Sequence, residues 1–352
     1  MVLYEILNFN GSFIYSGFIF IIRLILYLAG KRWSKMFRRA RRNGTSNIYS
    51  SWKKSLKRDW ELYLLLSIPL FLTILFKYGA YPGLRIAFMN YLPAKGYEGS
   101  EWVGFETFRK VFRDRDFLLA LRNSLIFNFA EVIISFPMPI ILALILNELK
   151  FPKFKKVSQT ILYLPHFLSW AIIGSITYTL FRTETGLVNN ILVNLGLVSE
   201  RIPFLTENFN WSVTYLLVGV WAGMGWGSII YLAAISSINE ELYEAAMIDG
   251  AGRWKRMWYI TLPGIKPTII TLLIMTLGRL MGSNYERLTA MGNVNVKAVQ
   301  YQLAIYIYEK GLASGTGFSR ATAVGLFQSF VGLLLVIASD RFDKALGEEG
   351  MI

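Results

Sequence analysis

Runs of about twenty apolar residues, separated by short polar and charged stretches, set the pattern of this chain. Six of them fall at 62–81, 124–146, 160–181, 212–235, 267–282 and 321–339. A helix rises 1.5 Å per residue and the hydrocarbon core is about 30 Å thick, so about twenty apolar residues cross it once. Apolar side chains lie all around each run, with no polar stripe to face water, and backbone groups in lipid must be satisfied within the segment. The pattern therefore predicts an all-α, polytopic helical membrane protein with a six-span domain over 61–352. The fifth run is the shortest and is expected to extend at one end. Residues 1–60 form an N-terminal extension with a further candidate span at 12–29, carrying Arg23. No basic residue precedes that run and no small-residue cleavage site follows it, so it does not read as a signal peptide.

The loop at 237–263, between the fourth and fifth runs, carries structure of its own. Asn239 suits a helix N-cap, and Glu240 and Glu241 follow in the first turn, where the helix dipole favours negative charge. Leu242, Ala245, Ala246 and Asp249 recur at spacings of three and four and share one face, which the two alanines keep shallow. Gly250 and Gly252 are expected to end the helix through the left-handed cap that glycine adopts without strain. A basic and aromatic segment, 253–260, then leads to Leu262-Pro263.

Glu244-Ala245-Ala246, three residues, Gly250, nine residues, Ile260, one residue and Leu262-Pro263 resemble the EAA loop of ABC-importer permeases. Asp249 and Gly250-Ala251 fit the sugar-transporting branch of that family, as do Trp102-Val103-Gly104-Phe105 in the first outer loop and the tail Gly347-Glu348-Glu349-Gly350. The resemblance implies the transmembrane domain of a type I ABC importer, of the maltose-permease or oligosaccharide kind, in a bacterial inner (cytoplasmic) membrane. It also implies partners: a second, homologous permease in a heterodimer, a homodimeric cytoplasmic ATPase, and an extracytoplasmic solute-binding protein. ATP and Mg would be bound by the ATPase, with no cofactor in this chain and no catalytic residue. The helix bearing Glu244, Ala245, Ala246, Asp249 and Gly250, with Leu262 and Pro263, would dock on the ATPase and couple its closure to the spans.

Charge agrees with that orientation. The formal net charge of +14 reads as membrane topology, with no nucleic-acid partner, because the cations are unevenly placed. Residues 31–58 hold 11 of the 37 Lys and Arg and no acid, which suits a segment lying on anionic lipid headgroups. With the 237–263 loop placed in the cytoplasm, inner segments carry 21 Lys and Arg and the longer outer segments 13. This topology puts the N-terminus outside and the C-terminus inside. The chain has no cysteine, which excludes disulfides and thiol chemistry, and its single histidine makes a metal site unexpected. There is no G-x-x-x-x-G-K-[ST] loop, so nucleotide phosphates are not cradled here.

Polar groups within spans are candidates for a substrate path, because their burial in lipid is costly. Glu131 lies in the second run near Pro137 and Pro139, and Arg279 lies in the fifth, before Asn284. A structural ion pair between Glu131 and Arg279 is the simplest alternative to a role in transport. His166 follows Pro165 at a position that the resemblance places on the sugar path of maltose-type permeases. Trp170, Trp221, Gly223 and Trp226 fall on the corresponding walls of the third and fourth spans, where aromatic faces suit pyranose rings. Arg279 and His166 leave an acidic sugar open. An ABC permease for amino acids or peptides is the nearest alternative, and a secondary transporter or a membrane-embedded enzyme stands further off.

Overall fold

The computed structural model describes residues 58–345. The expected span at 12–29, the basic arm up to residue 57 and the acidic tail at 347–350 lie outside the described residues. Contacts divide the chain into two units, one ending at Leu84 and one beginning at Arg85. In the first, helix α1 (Trp60–Thr73) runs on through a π-turn at Ile74–Tyr78. With the 3₁₀ stretch Tyr81–Phe88, this segment is long and apolar enough to cross a membrane.

The second unit opens with a two-residue antiparallel pair, Met89–Asn90 against Glu101–Trp102. Two helices follow, α2 (Glu106–Arg113) and α3 (Arg115–Ile134), the latter capped by Asp114, whose side chain accepts from the Asp116 amide. Pro137 then sits in the first turn of α4 (Pro137–Asn147), where a missing N–H costs nothing. Together α3 and α4 form the second expected span, which starts at Arg115, earlier than the apolar run does. The fourth span is α8 (Asn208–Ile235), and the sixth is α13 (Phe318–Ala345).

The third and fifth spans are not single helices. Helix α5 (Pro152–Tyr163) passes into a 3₁₀ turn at Leu164–Phe167, and α6 (Trp170–Phe181) leaves at 106° to it. Pro165 breaks the α5 ladder, and Ser169 restarts the helix by accepting the Ile172 amide. Past α6, the short helix α7 (Leu187–Asn194) leads towards α8. The fifth span pairs the helical stretch Arg253–Gly264 with α11 (Lys266–Leu277), bent by 57° at Ile265. Extension of this short run thus comes from a bent neighbour, while α11 itself stops at Leu277.

Two apolar cores lie along α8. The larger gathers Phe117, Phe127, Trp211, Tyr215, Leu288, Leu303 and Tyr306 from α3, α8 and the segment that follows α11. The smaller packs Ile140 and Ala143 of α4 against Tyr231, Ile235 and Ile265.

Candidate functional site

The loop after α8 folds as its capping residues dictate. Asn239 Oδ1 accepts the Glu241 amide at 3.1 Å and starts α9 (Glu240–Ile248). Asp249 closes the helix and Gly250 stands at φ +74°. The Gly250 amide donates to the Met247 carbonyl at 3.1 Å and the Ala251 amide to that of Ala246 at 2.8 Å, the two bonds of a Schellman cap. Gly252 does something else: at φ −66° it is the N-cap of α10 (Arg253–Arg256), so only Gly250 supplies the left-handed residue.

Glu244, Ala245, Met247, Ile248 and Asp249 are exposed, while Tyr243 and Ala246 are half-buried. The inner face is fastened to the chain that returns to the membrane. Tyr243 and Thr261 share a hydroxyl–hydroxyl bond of 2.9 Å, and Thr261 is buried. Ile238 fills the space above Gly264, where a Cβ would lie 2.6 Å from its Cδ1. Leu262 and Ile238 pack on the smaller core, and Pro263 is exposed. Tyr243 thus ties α9 to the returning chain, and the flanking Ile238 and Leu262 pack where α4, α8 and α11 meet.

Within the second unit lies a cavity of about 560 Å³, a size typical of small-molecule sites. Its walls come from the junction of α3 and α4, from one face of α8 (Tyr215, Gly219, Gly223) and from the chain after α11. Three charged residues line it: Glu131, Arg279 and Arg287. Arg287, on α12 (Tyr285–Met291), is 7% exposed. Its guanidinium pairs with Glu131, donates to the Tyr215 carbonyl and lies 3.7 Å above the Tyr215 ring. Trp170 stands 5.2 Å from the same group. Gly219 makes the pair possible, because a Cβ there would lie 2.1 Å from an Arg287 nitrogen.

The chain after α11 leaves the helix with carbonyls that need donors. Asn128 of α3 supplies Leu280 and Gly282, the latter at 2.8 Å, and Gln328 of α13 supplies Met281 at 2.7 Å. Irregular backbone at this depth is stable only when so satisfied. Asn284 then accepts the Arg287 amide at 3.0 Å and starts α12.

Of the residues singled out in the sequence, Glu131, Gly223, Arg279 and Asn284 line the cavity, and Asn284 doubles as a helix cap. His166, Trp170, Trp221 and Trp226 are not among its lining residues. His166 stacks on Trp226 with ring centroids 4.7 Å apart, which joins the α5–α6 break to α8. Trp170 packs against the larger core and Trp221 is exposed. The alternative pairing of Glu131 with Arg279 is not found: Glu131 pairs with Arg287, and Arg279 makes no ion pair among the described residues. Hydropathy places Arg287 in an outer segment, because it carries no sign that 283–302 packs back on the spans. The available signal was an unpaired Glu131 together with an Asn three residues before an Arg. For Gln302 and Ser135, which also line the cavity, the sequence offers no signal.

Comparison with known proteins adds to these observations. Residues 122–348 match the family described as the binding-protein-dependent transport system inner membrane component. Protein LplB of Bacillus subtilis is 41% identical over 301 residues, covering 86% of this chain and 94% of that one. The polygalacturonan/rhamnogalacturonan transport system permease protein YteP of the same organism is 42% identical over 290 residues, covering 82% and 89%. Among solved structures, a bacterial ABC transporter involved in the import of the acidic polysaccharide alginate has a chain that is 36% identical. That match has a TM-score of 0.74 and covers 85% of this chain and all of the other. Apolar spans, a capped loop helix between two of them and a match over most of the six-span region converge: the chain belongs to the family of binding-protein-dependent transport system inner membrane components.

Proposed function

We propose that this chain is the membrane-spanning subunit of an ATP-driven importer that passes oligosaccharides into the cytoplasm through the cavity beside α8. It acts in a heterodimer with a homologous permease, takes sugar from an extracytoplasmic binding protein and is driven by a homodimeric ATPase that binds ATP and Mg. The observation that carries this reading is the helix α9, capped at both ends, exposed on its outer face and tied by Tyr243 to Thr261, with the flanking Ile238 and Leu262 packed on the smaller core. Relatives named for polygalacturonan or rhamnogalacturonan transport and for alginate import support the sugar, and one solved relative includes its periplasmic protein bound to an alginate pentasaccharide.

Helix α9 would move as a rigid body with the ATPase, and the half-buried contacts of Ile238, Tyr243 and Leu262 would pass that motion to the spans. To switch access decisively, ATP binding must favour one state by about 5 kcal/mol. The test is uptake of labelled oligosaccharide by reconstituted complex with Glu244→Lys. Glu244 is exposed and makes no ion pair among the described residues, so the variant should fold and insert as the parent does. Uptake should fall together with ATPase capture. Uptake that continues without the ATPase, driven by an ion gradient, would mean a secondary transporter instead.

A further inference from the structure

Among the described residues, three buried side-chain polar atoms lack any hydrogen-bond partner: Ser135 Oγ, Arg287 Nε and Gln302 Nε2. All three belong to residues that line the cavity. Gln302 is 1% exposed and Arg287 7%, so water does not serve these atoms. Leaving such groups unpaired costs about 1–3 kcal/mol each. Two of the three are N–H donors that cannot accept, and the third is a hydroxyl.

The charge of the site points the same way. Glu131, the only carboxylate in the lining, is taken up by Arg287. Arg279 remains, a cation on the cavity wall with no ion pair among the described residues. Two cations against one anion leave the cavity with one positive charge. One unmatched cation on the wall describes a site short of an anion. A neutral sugar brings hydroxyls that donate as much as they accept. A carboxylate brings up to four acceptor sites and the missing negative charge.

We propose that the cavity holds a carboxylate-bearing sugar unit, with Arg279 pairing the carboxylate. This rests on the oligosaccharide reading and narrows it to acidic saccharides. Arg279 is then the residue that sets specificity, because among the charged residues of the lining it alone makes no ion pair among the described residues. The Glu131–Arg287 pair has a different part. It holds a guanidinium at the wall while cancelling its charge, so the net attraction for an anion falls on Arg279.

The test uses the complete importer with its own binding protein in proteoliposomes. The probes are trisaccharides of galacturonate, mannuronate and guluronate, each beside its carboxyl-reduced, neutral counterpart. The binding protein is held constant, so a change in the acidic-to-neutral ratio between variants belongs to the permease. With wild type, an acidic trisaccharide should be taken up in preference to its reduced form. Arg279→Gln should lower that uptake roughly tenfold or more, with under twofold change for the reduced form, and Arg279→Lys should restore most of it. Assembly of each variant with its partner chains is followed by size-exclusion chromatography. Equal loss on both members of a pair, or no loss on the acidic one, would overturn the assignment to Arg279. Wild type that prefers the reduced forms would overturn the acidic class and leave the oligosaccharide reading standing. Wild type that moves none of the probes, acidic or reduced, would overturn both.

Discussion

Gly250 offers a way to measure whether a partner sits against the coupling loop. Its φ of +74° is closed to ordinary side chains, yet a Cβ built there meets nothing within 4 Å. Among the described residues, then, alanine incurs a backbone cost of about 1–2 kcal/mol for the left-handed conformation and no steric one, and leucine incurs the same backbone cost at an exposed position. Asparagine, which tolerates that conformation, costs less. A further penalty for leucine that shows in uptake and not in the thermal midpoint comes from outside the chain. The series Gly250→Asn, Gly250→Ala and Gly250→Leu should give thermal midpoints that fall at alanine and fall no further at leucine. ATP-driven uptake in proteoliposomes should instead keep falling, in the order glycine, asparagine, alanine, leucine. A clash at a docked surface worth about 1.4 kcal/mol would place leucine tenfold below alanine. Equal uptake by the alanine and leucine variants would show that nothing docks beside Gly250. Full uptake by all three would remove the loop from the coupling path.

Other positions separate packing from function. Gly219→Ala forces the Arg287 guanidinium away from Glu131 and should cost about 3 kcal/mol, read as a lower unfolding midpoint in detergent, because a partly buried charge loses its partner. Gly223→Ala, four residues on along the same helix face, meets nothing within 4 Å and should leave that midpoint unchanged. Gly225→Ala would set a Cβ 1.9 Å from the Leu162 carbonyl oxygen, so α5 and α8 must separate, at a cost of about 1–3 kcal/mol in the same assay. On the outer side, burial and then the Asp114 carboxylate, which accepts from Tyr306 at 2.9 Å, hold the Tyr306 phenol above its ordinary range. The folded chain keeps that proton more tightly than the unfolded chain does. Stability is therefore intact below about pH 10 and falls as pH rises beyond it, and Tyr306→Phe should flatten the decline in an unfolding-midpoint titration.

The elements that bury apolar surface were legible in the sequence, because a run of twenty apolar residues has few other places to go. The caps of α9 were equally plain: Asn239 and Gly250 act through local geometry that three or four neighbouring residues decide. What stayed hidden depends on the chain turning back on itself. Hydropathy measures the cost of placing a residue in lipid, and it scores 283–302 as polar and therefore outside. Those residues instead pack on α3 and α8, with Asn128 and Gln328 supplying the carbonyls of Leu280 and Met281 just before them and Glu131 receiving Arg287. The same blindness hid the 106° turn at Pro165, since both halves of the third run are apolar. Nor does it carry any sign that His166 stacks on Trp226 across that turn.

The bend at Ile265 bears on how a small displacement can move a sugar. Ile265 is fully buried where the loop-side helix meets α11 at 57°, so in the proposed coupling it would serve as a fulcrum, with α9 near one end of a crank and the cavity near the other. Helix α11 has 12 residues, about 18 Å of arm, and Arg279 stands two residues further out, at about 21 Å. A swing of roughly 10° about the fulcrum carries that guanidinium through about 3.5 Å, more than the length of a hydrogen bond. A grip on a carboxylate would be broken by that stroke without any change in the charge of either group. Release would be mechanical, set by the length of an arm, and a saccharide held firmly on entry could leave freely on the other side.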